Sequence, residues 1–128
     1  MARRAGRRAG ELCDSSPADV VLHGDLHHPN ALTATRRPWL AIDPHGLVGD
    51  PGYDTGQLLY NPLDAADRLV GLAPSRIEQV SDELGLPLDR VRAWGCAVCV
   101  LSEVWSAGDG PIDGVPLEIA RRLDDDRS

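Results

Sequence analysis

Hydrophobic positions in the first third of the chain come in short runs rather than helical stripes. Val20-Val21-Leu22 is brief and β-branched, so the pattern predicts a buried strand that delivers a polar cluster, His23-Gly24-Asp25-Leu26-His27-His28-Pro29-Asn30, to a loop at its end. Two more apolar stretches, Ala31 to Ala34 and Trp39 to Ile42, flank the polar turn Thr35-Arg36-Arg37-Pro38 and predict a hairpin. With those four residues as the loop, Ala34 opposes Trp39, Ala31 opposes Ile42, and the next pair outward is Asn30 with Asp43. Directly opposed residues hold their Cα atoms about 4.5–5.5 Å apart. From Pro44 to Gly52 the density of Gly and Pro predicts an irregular loop.

Beyond that loop the period becomes helical. Asp54 with Gln57 reads as a capping box over Leu58 and Leu59, and Pro62 ends that helix. A short helix is expected from Leu63 to Leu72. A second capping box, Ser75-Arg76-Ile77-Glu78, opens another, with Ile77, Val80 and Leu84 on one face and Gly85 as its stop. Asp89 starts the longest helix, in which Trp94, Val98, Leu101 and Trp105 form a stripe expected in the core. Pro116 opens a final helix through Leu123. At the other end, Ala2 to Leu12 carries Arg3, Arg4, Arg7 and Arg8 at helical spacing, but Gly6 and Gly10 each cost about 1 kcal/mol, so a weak helix is expected. The whole predicts one mostly helical α+β domain over 1–123: weak helix and loop at 1–16, strand, polar loop and hairpin at 20–43, helical body at 54–123. The charged residues 124–128 read as a disordered tail.

Composition narrows the function. The chain has 128 residues, 42% hydrophobic, enough for one core. A net charge of −7 argues against nucleic acid or an anionic membrane as partner and fits a cationic small molecule. No apolar run approaches the roughly 20 residues of a membrane span, and residues 1–10 lack an apolar signal segment, so a cytoplasmic location is expected. Cys13, Cys96 and Cys99 are too few for a disulfide scaffold, and Cys96-x-x-Cys99 inside a helix reads as structural thiols. All 13 basic residues are arginine. Without lysine, neither a Walker loop nor the strand lysine of a kinase nucleotide lobe is present, and no Gly-x-Gly-x-x-Gly occurs.

The polar loop and hairpin carry the candidate chemistry. An amide oxygen from Asn30 and a carboxylate from Asp43, converging at the open end of the hairpin, suit Mg²⁺. Asp25 has no metal duty there and is free to take a proton from a hydroxyl nucleophile. A base and two oxygen ligands suffice for phosphoryl transfer. The competing reading is a two-metal phosphohydrolase built from His23, Asp25, His27, His28, Asp43 and His45, although no histidine follows His45. A third is a catalytically silent remnant that only binds ligand.

The spacing Asp25-x4-Asn30 followed by a hairpin and Asp43 resembles the catalytic and metal loops of protein-kinase-like enzymes. His23-Gly24-Asp25 in place of His-Arg-Asp, and Ile42-Asp43-Pro44 in place of Asp-Phe-Gly, is similar to the aminoglycoside phosphotransferase family. Leu22 to His28, Trp39 to Pro44 and Gly49-Asp50-Pro51-Gly52-Tyr53-Asp54 resemble its streptomycin 6-kinase and hydroxyurea kinase branch. The resemblance spans about Leu12 to Leu123 and implies a kinase-like C-terminal lobe whose N-terminal ATP lobe is missing. It further implies ATP as phosphate donor, Mg²⁺ on Asn30 and Asp43, Asp25 as base, and an aminoglycoside-like alcohol as acceptor. His23, Asp50 and Asp54 are then expected to support the site, Asp54 by holding the backbone of the catalytic loop.

Overall fold

The computed structural model describes residues 2–26, 30–61, 66–108, 110 and 114–125. The chain runs α1 (Ala2–Asp14), β1 (Val20–Leu22), β2 (Ala31–Leu32), β3 (Leu40–Ala41), β4 (Leu47–Gly49), α2 (Gly52–Gly56), a 3₁₀ turn (Gln57–Tyr60), α3 (Ala66–Leu84), α4 (Leu88–Ala107) and α5 (Val115–Asp125). This is the mostly helical α+β arrangement the pattern predicted. None of the described helices is long and apolar enough to cross a membrane.

α4 is the axis of packing. Val91, Ala93, Trp94, Gly95, Ala97, Val98, Cys99 and Val100 are buried, so its middle is apolar all round and contacts α1, α2, α3 and α5. The expected core stripe holds only in its first half: Trp94 and Val98 are buried, Leu101 is half-buried, and Trp105 is 65% exposed. Cys99 is buried, and burial pushes its thiol far above the usual range; Cys96 is half-buried against the Ala120 carbonyl. Both are free thiols. On α1, packing overrides the two glycines. Ala5 and Leu12 are buried, and Arg4 pairs with Asp124 of α5, which continues as helix to Asp125 rather than giving way to a tail at 124.

α3 differs from expectation in kind. The two helices predicted on either side of Pro74 are one helix. A proline inside a helix removes a hydrogen bond and crowds the preceding turn. Burial of Leu69, Ala73 and Ile77 on one stripe offsets that cost, and the Ser75 hydroxyl bonds the Leu72 carbonyl at 2.9 Å instead of capping a new helix. Gly85, at φ +65°, stops the helix where the pattern placed the stop.

α2 lies directly on α4 because it presents glycines. A Cβ at Gly52 would stand 2.2 Å from Trp94, and one at Gly56 would stand 2.7 Å from Val98. This close approach brings the next residues of α2 up against the polar loop after β1. The sheets are minimal. β1 pairs antiparallel with β4, Leu22 opposite Leu47, and β2 pairs with β3. β1 is not the buried strand predicted, since only Leu22 is covered and Val21 is 81% exposed. A cavity of about 210 Å³ between α1, α4 and α5, lined in part by Arg4, Ala97 and Ala120, shares no residue with the polar loop.

Candidate active site

β1 ends at Leu22, and the next three residues are held from every side. Asp54, on the first turns of α2, accepts from the backbone N–H of His23 (2.8 Å) and of Gly24 (2.9 Å). The His23 carbonyl accepts from the His45 amide at 2.6 Å, and the His23 ring bridges two more backbone groups: Nε2 donates to the Ile42 carbonyl and Nδ1 accepts from the Asp25 amide at 3.1 Å. The Asp25 amide must donate, so Nδ1 accepts and the ring proton sits on Nε2, an assignment made from its partners. Gly24 is at φ +87°, and a Cβ there would lie 2.9 Å from that of His45. Only glycine meets both demands, which is a local reason for Gly24 between His23 and Asp25.

This cradle presents the Asp25 carboxylate, about one-third exposed, to the surface. The Asn30 side-chain amide donates to the Asp25 carbonyl at 2.9 Å and to its carboxylate at 3.3 Å, which turns the Asn30 oxygen away from Asp25. His45 Nε2 stands 3.7 Å from the same carboxylate. The sequence offers His45 only as a hydrolase ligand; its place beside Asp25 follows from the pairing of β4 with β1, which no local signal shows.

The hairpin register corrects the expected pairing. Ala31 faces Ala41 and Leu32 faces Leu40, so Asn30 meets Ile42, whose N–H donates to the Asn30 carbonyl at 2.8 Å, and Asp43 lies one residue further out. A slip of one residue exchanges the faces of a strand. Asp43 follows β3 at φ +53°, the sole non-glycine residue with positive φ among the described residues, and it is exposed there with no hydrogen-bond or ion-pair partner among them. Aspartate is among the few side chains that adopt this backbone region readily.

Asp54 and Gln57 do not form a capping box. α2 begins at Gly52, with Pro51 as its N-cap and no side-chain cap, so Asp54 is already inside the helix. Three residues apart on a helix, the two side chains share a face, and both reach the loop: Gln57 Nε2 donates to the Gly24 carbonyl at 3.2 Å. Gln57 is 7% exposed and was missed as a site residue because its capping role explained it sufficiently. Asp50 sits elsewhere in the framework. It accepts from the Gly52 amide at 2.9 Å and pairs with Arg90 of α4, which also donates to the Leu12 carbonyl and the Ser15 hydroxyl. Burial alone would raise the Asp50 carboxyl, but Arg90 and the Gly52 amide hold it below its ordinary value.

The oxygens available for a metal are hard donors, the Asp43 carboxylate and the Asn30 amide, and they fit Mg²⁺ rather than a softer ion. No group of three or more His, Cys, Asp or Glu that could hold a metal exists among the described residues, and His27 and His28 of the hydrolase reading lie outside them.

Comparison with known proteins places this loop in context. The family model described as aminoglycoside/hydroxyurea antibiotic resistance kinase matches residues 4–110. Streptomycin 6-kinase of Streptomyces griseus is 37% identical over 107 residues, covering 81% of this chain and 35% of that protein. Streptomycin 3''-kinase of Klebsiella pneumoniae is 40% identical over 122 residues, 85% of this chain and 46% of its own length. Hydroxyurea phosphotransferase of Kitasatospora aureofaciens is 38% identical over 106 residues, 83% and 30%. The chain thus spans between about a third and a half of these relatives. No solved structure matches it.

Proposed function

The chain belongs to the aminoglycoside/hydroxyurea antibiotic resistance kinase family, and on that premise we propose that it is the acceptor-binding, base-carrying part of an ATP-dependent phosphotransferase acting on a hydroxyl of a streptomycin-like antibiotic. The observation that carries this reading is the Asp25 carboxylate, surface-facing on a loop whose backbone is fixed by Asp54, Gln57, His23 and Asn30.

Each residue then has a task. Asp25 accepts the proton of the attacking hydroxyl as the hydroxyl oxygen bonds to the γ-phosphorus of ATP and the bond from that phosphorus to the β–γ bridging oxygen breaks, ADP leaving with that oxygen. Asn30 keeps that carboxylate aimed by holding its carbonyl, and with Asp43 offers the oxygens for Mg²⁺. The ion, when bound there, neutralises charge on the phosphate oxygens. His23 and Asp54 hold the loop rigid, and Asp50 with Arg90 ties the start of α2 to α1 and α4. A charge of −7 draws a polycationic acceptor.

The chain has no lysine to clamp the α- and β-phosphates, so a nucleotide lobe supplied by further polypeptide completes the enzyme. Calorimetry on the 128-residue chain is therefore expected to show streptomycin binding that weakens steeply between low and physiological salt, while a coupled assay shows no acceptor-dependent ADP release. Brisk ADP release by the chain alone would refute the divided-lobe reading, and absence of any cation binding would refute the acceptor role. The metal assignment is tested separately. In a form that binds nucleotide in an Mg²⁺-dependent way, Asp43→Ala is expected to abolish that dependence, and its survival would remove Asp43 from the metal site.

A further inference from the structure

The peptide between Gly24 and Asp25 is the last rigid unit before the carboxylate, and its orientation sets where that carboxylate points. Its N–H belongs to Asp25 and donates to His23 Nδ1 at 3.1 Å; its C=O belongs to Gly24 and accepts from Gln57 Nε2 at 3.2 Å. The preceding peptide is held separately, by Asp54 on the Gly24 amide. Gly24, at φ +87°, has no side chain to resist rotation of the plane that follows it, so these two bonds act directly on its orientation.

We infer that Gln57 is a positioning residue for Asp25, its amide fixing the Gly24–Asp25 peptide plane from the carbonyl end. This rests on Asp25 being the base. Gln57 suits the task because it is itself immobilised. It is 7% exposed, begins the 3₁₀ turn that continues α2, and lies one helical turn from Tyr53. Tyr53 in turn packs edge-on against Trp94, with ring centroids 5.9 Å apart, and Gly52 and Gly56 press α2 onto α4. The rigidity of the α4 core is thereby passed through one side chain to the loop. An amide is required, since the group must donate to a carbonyl while standing one helical turn from the Asp54 carboxylate. A glutamate there would oppose a second acceptor to the Gly24 oxygen.

The test uses ¹⁵N-labelled chain, with Gln57→Met removing the donor at similar length and Gln57→Glu keeping the shape. In both variants hydrogen exchange at the Asp25 amide is expected to quicken about 10-fold, the worth of one released hydrogen bond, while amides of α3 and α4 keep their protection. The His23 ring-nitrogen shifts are expected to move away from a pure Nε2–H tautomer, because Nδ1 loses its donor. Tyr53→Phe, which leaves the Gln57 amide on Gly24, is expected to change neither readout. Unchanged Asp25 exchange in either variant overturns the inference. So does a loss of protection spread evenly over the chain, which would make Gln57 a stability residue. These readouts need no turnover, so they judge Gln57 even if Asp25 proves not to be the base. In an active assembly the matching result is a lower kcat at unchanged KM, and a fall confined to KM overturns the positioning role.

Discussion

When the chain is joined to the remainder of a full-length relative, Asp25→Asn is expected to lower kcat by ~10²–10⁴-fold, the usual worth of a positioned general base, with nucleotide and acceptor affinities nearly unchanged. The substitution keeps the shape of the side chain, and it leaves the backbone bonds of Asp25 to His23 Nδ1 and Asn30 Nδ2 in place. What it removes is the capacity to take a proton. The carboxylate is about one-third exposed, with Asn30 Nδ2 at 3.3 Å and His45 Nε2 at 3.7 Å. A variant turning over within threefold of the parent would show that Asp25 is a framework residue and that the proton leaves by another route. Asp54→Asn is the instructive companion. Each Asp54 oxygen holds one backbone amide, His23 or Gly24, and asparagine keeps only one acceptor while turning a donor on the other amide, so the substitution should harm both rate and stability, whereas Asp25→Asn harms rate alone.

The largest effect on stability is expected from Arg90→Ala, about 3–5 kcal/mol at pH 7. The Asp50 side chain is only 5% exposed, and without Arg90 its charge is buried with no cation beside it. Arg90 also closes the end of α1 onto α4 through the Leu12 carbonyl and Ser15, both at 3.0 Å. The dependence on pH has a definite sign. In the parent the folded pKa of Asp50 lies below its unfolded value near 3.9, so its contribution is present above about pH 4 and is lost as pH falls through the folded pKa. In the variant, burial is no longer offset by Arg90, only by the Gly52 amide, so that pKa rises from its parent value and protonation relieves the penalty at a higher pH. Urea denaturation should therefore find the gap between parent and variant widest at pH 7 and narrowing below pH 4. A gap under 1 kcal/mol, or one indifferent to pH, would contradict the pairing. Arg90→Lys, a point charge on a flexible stem that cannot span three acceptors, should fall between the two.

Along the chain, the signals that worked were local. The order of elements, the polar loop after β1, the Gly85 stop and the opening of the last helix beside Pro116 depend on residues close in sequence, and steric and capping preferences act at that range. Asp25 and Asn30 are legible as a pair for the same reason, since they are near neighbours on one loop. Where the reading failed, contacts across the fold decided. The hairpin slipped by one residue because Leu32 and Trp39 are 48% and 65% exposed, so no buried face penalises the alternative register. Pro74 did not divide α3, because the buried stripe of Leu69, Ala73 and Ile77 outweighs one missing hydrogen bond. Trp105 is apolar and in phase with Trp94, yet no partner helix covers that end of α4 among the described residues. Gln57 and Arg90 are the clearest cases, with partners 33 and 40 residues away. Their residue types permit many roles, and it was the packing of α2 on α4, set by two glycines facing Trp94 and Val98, that selected one.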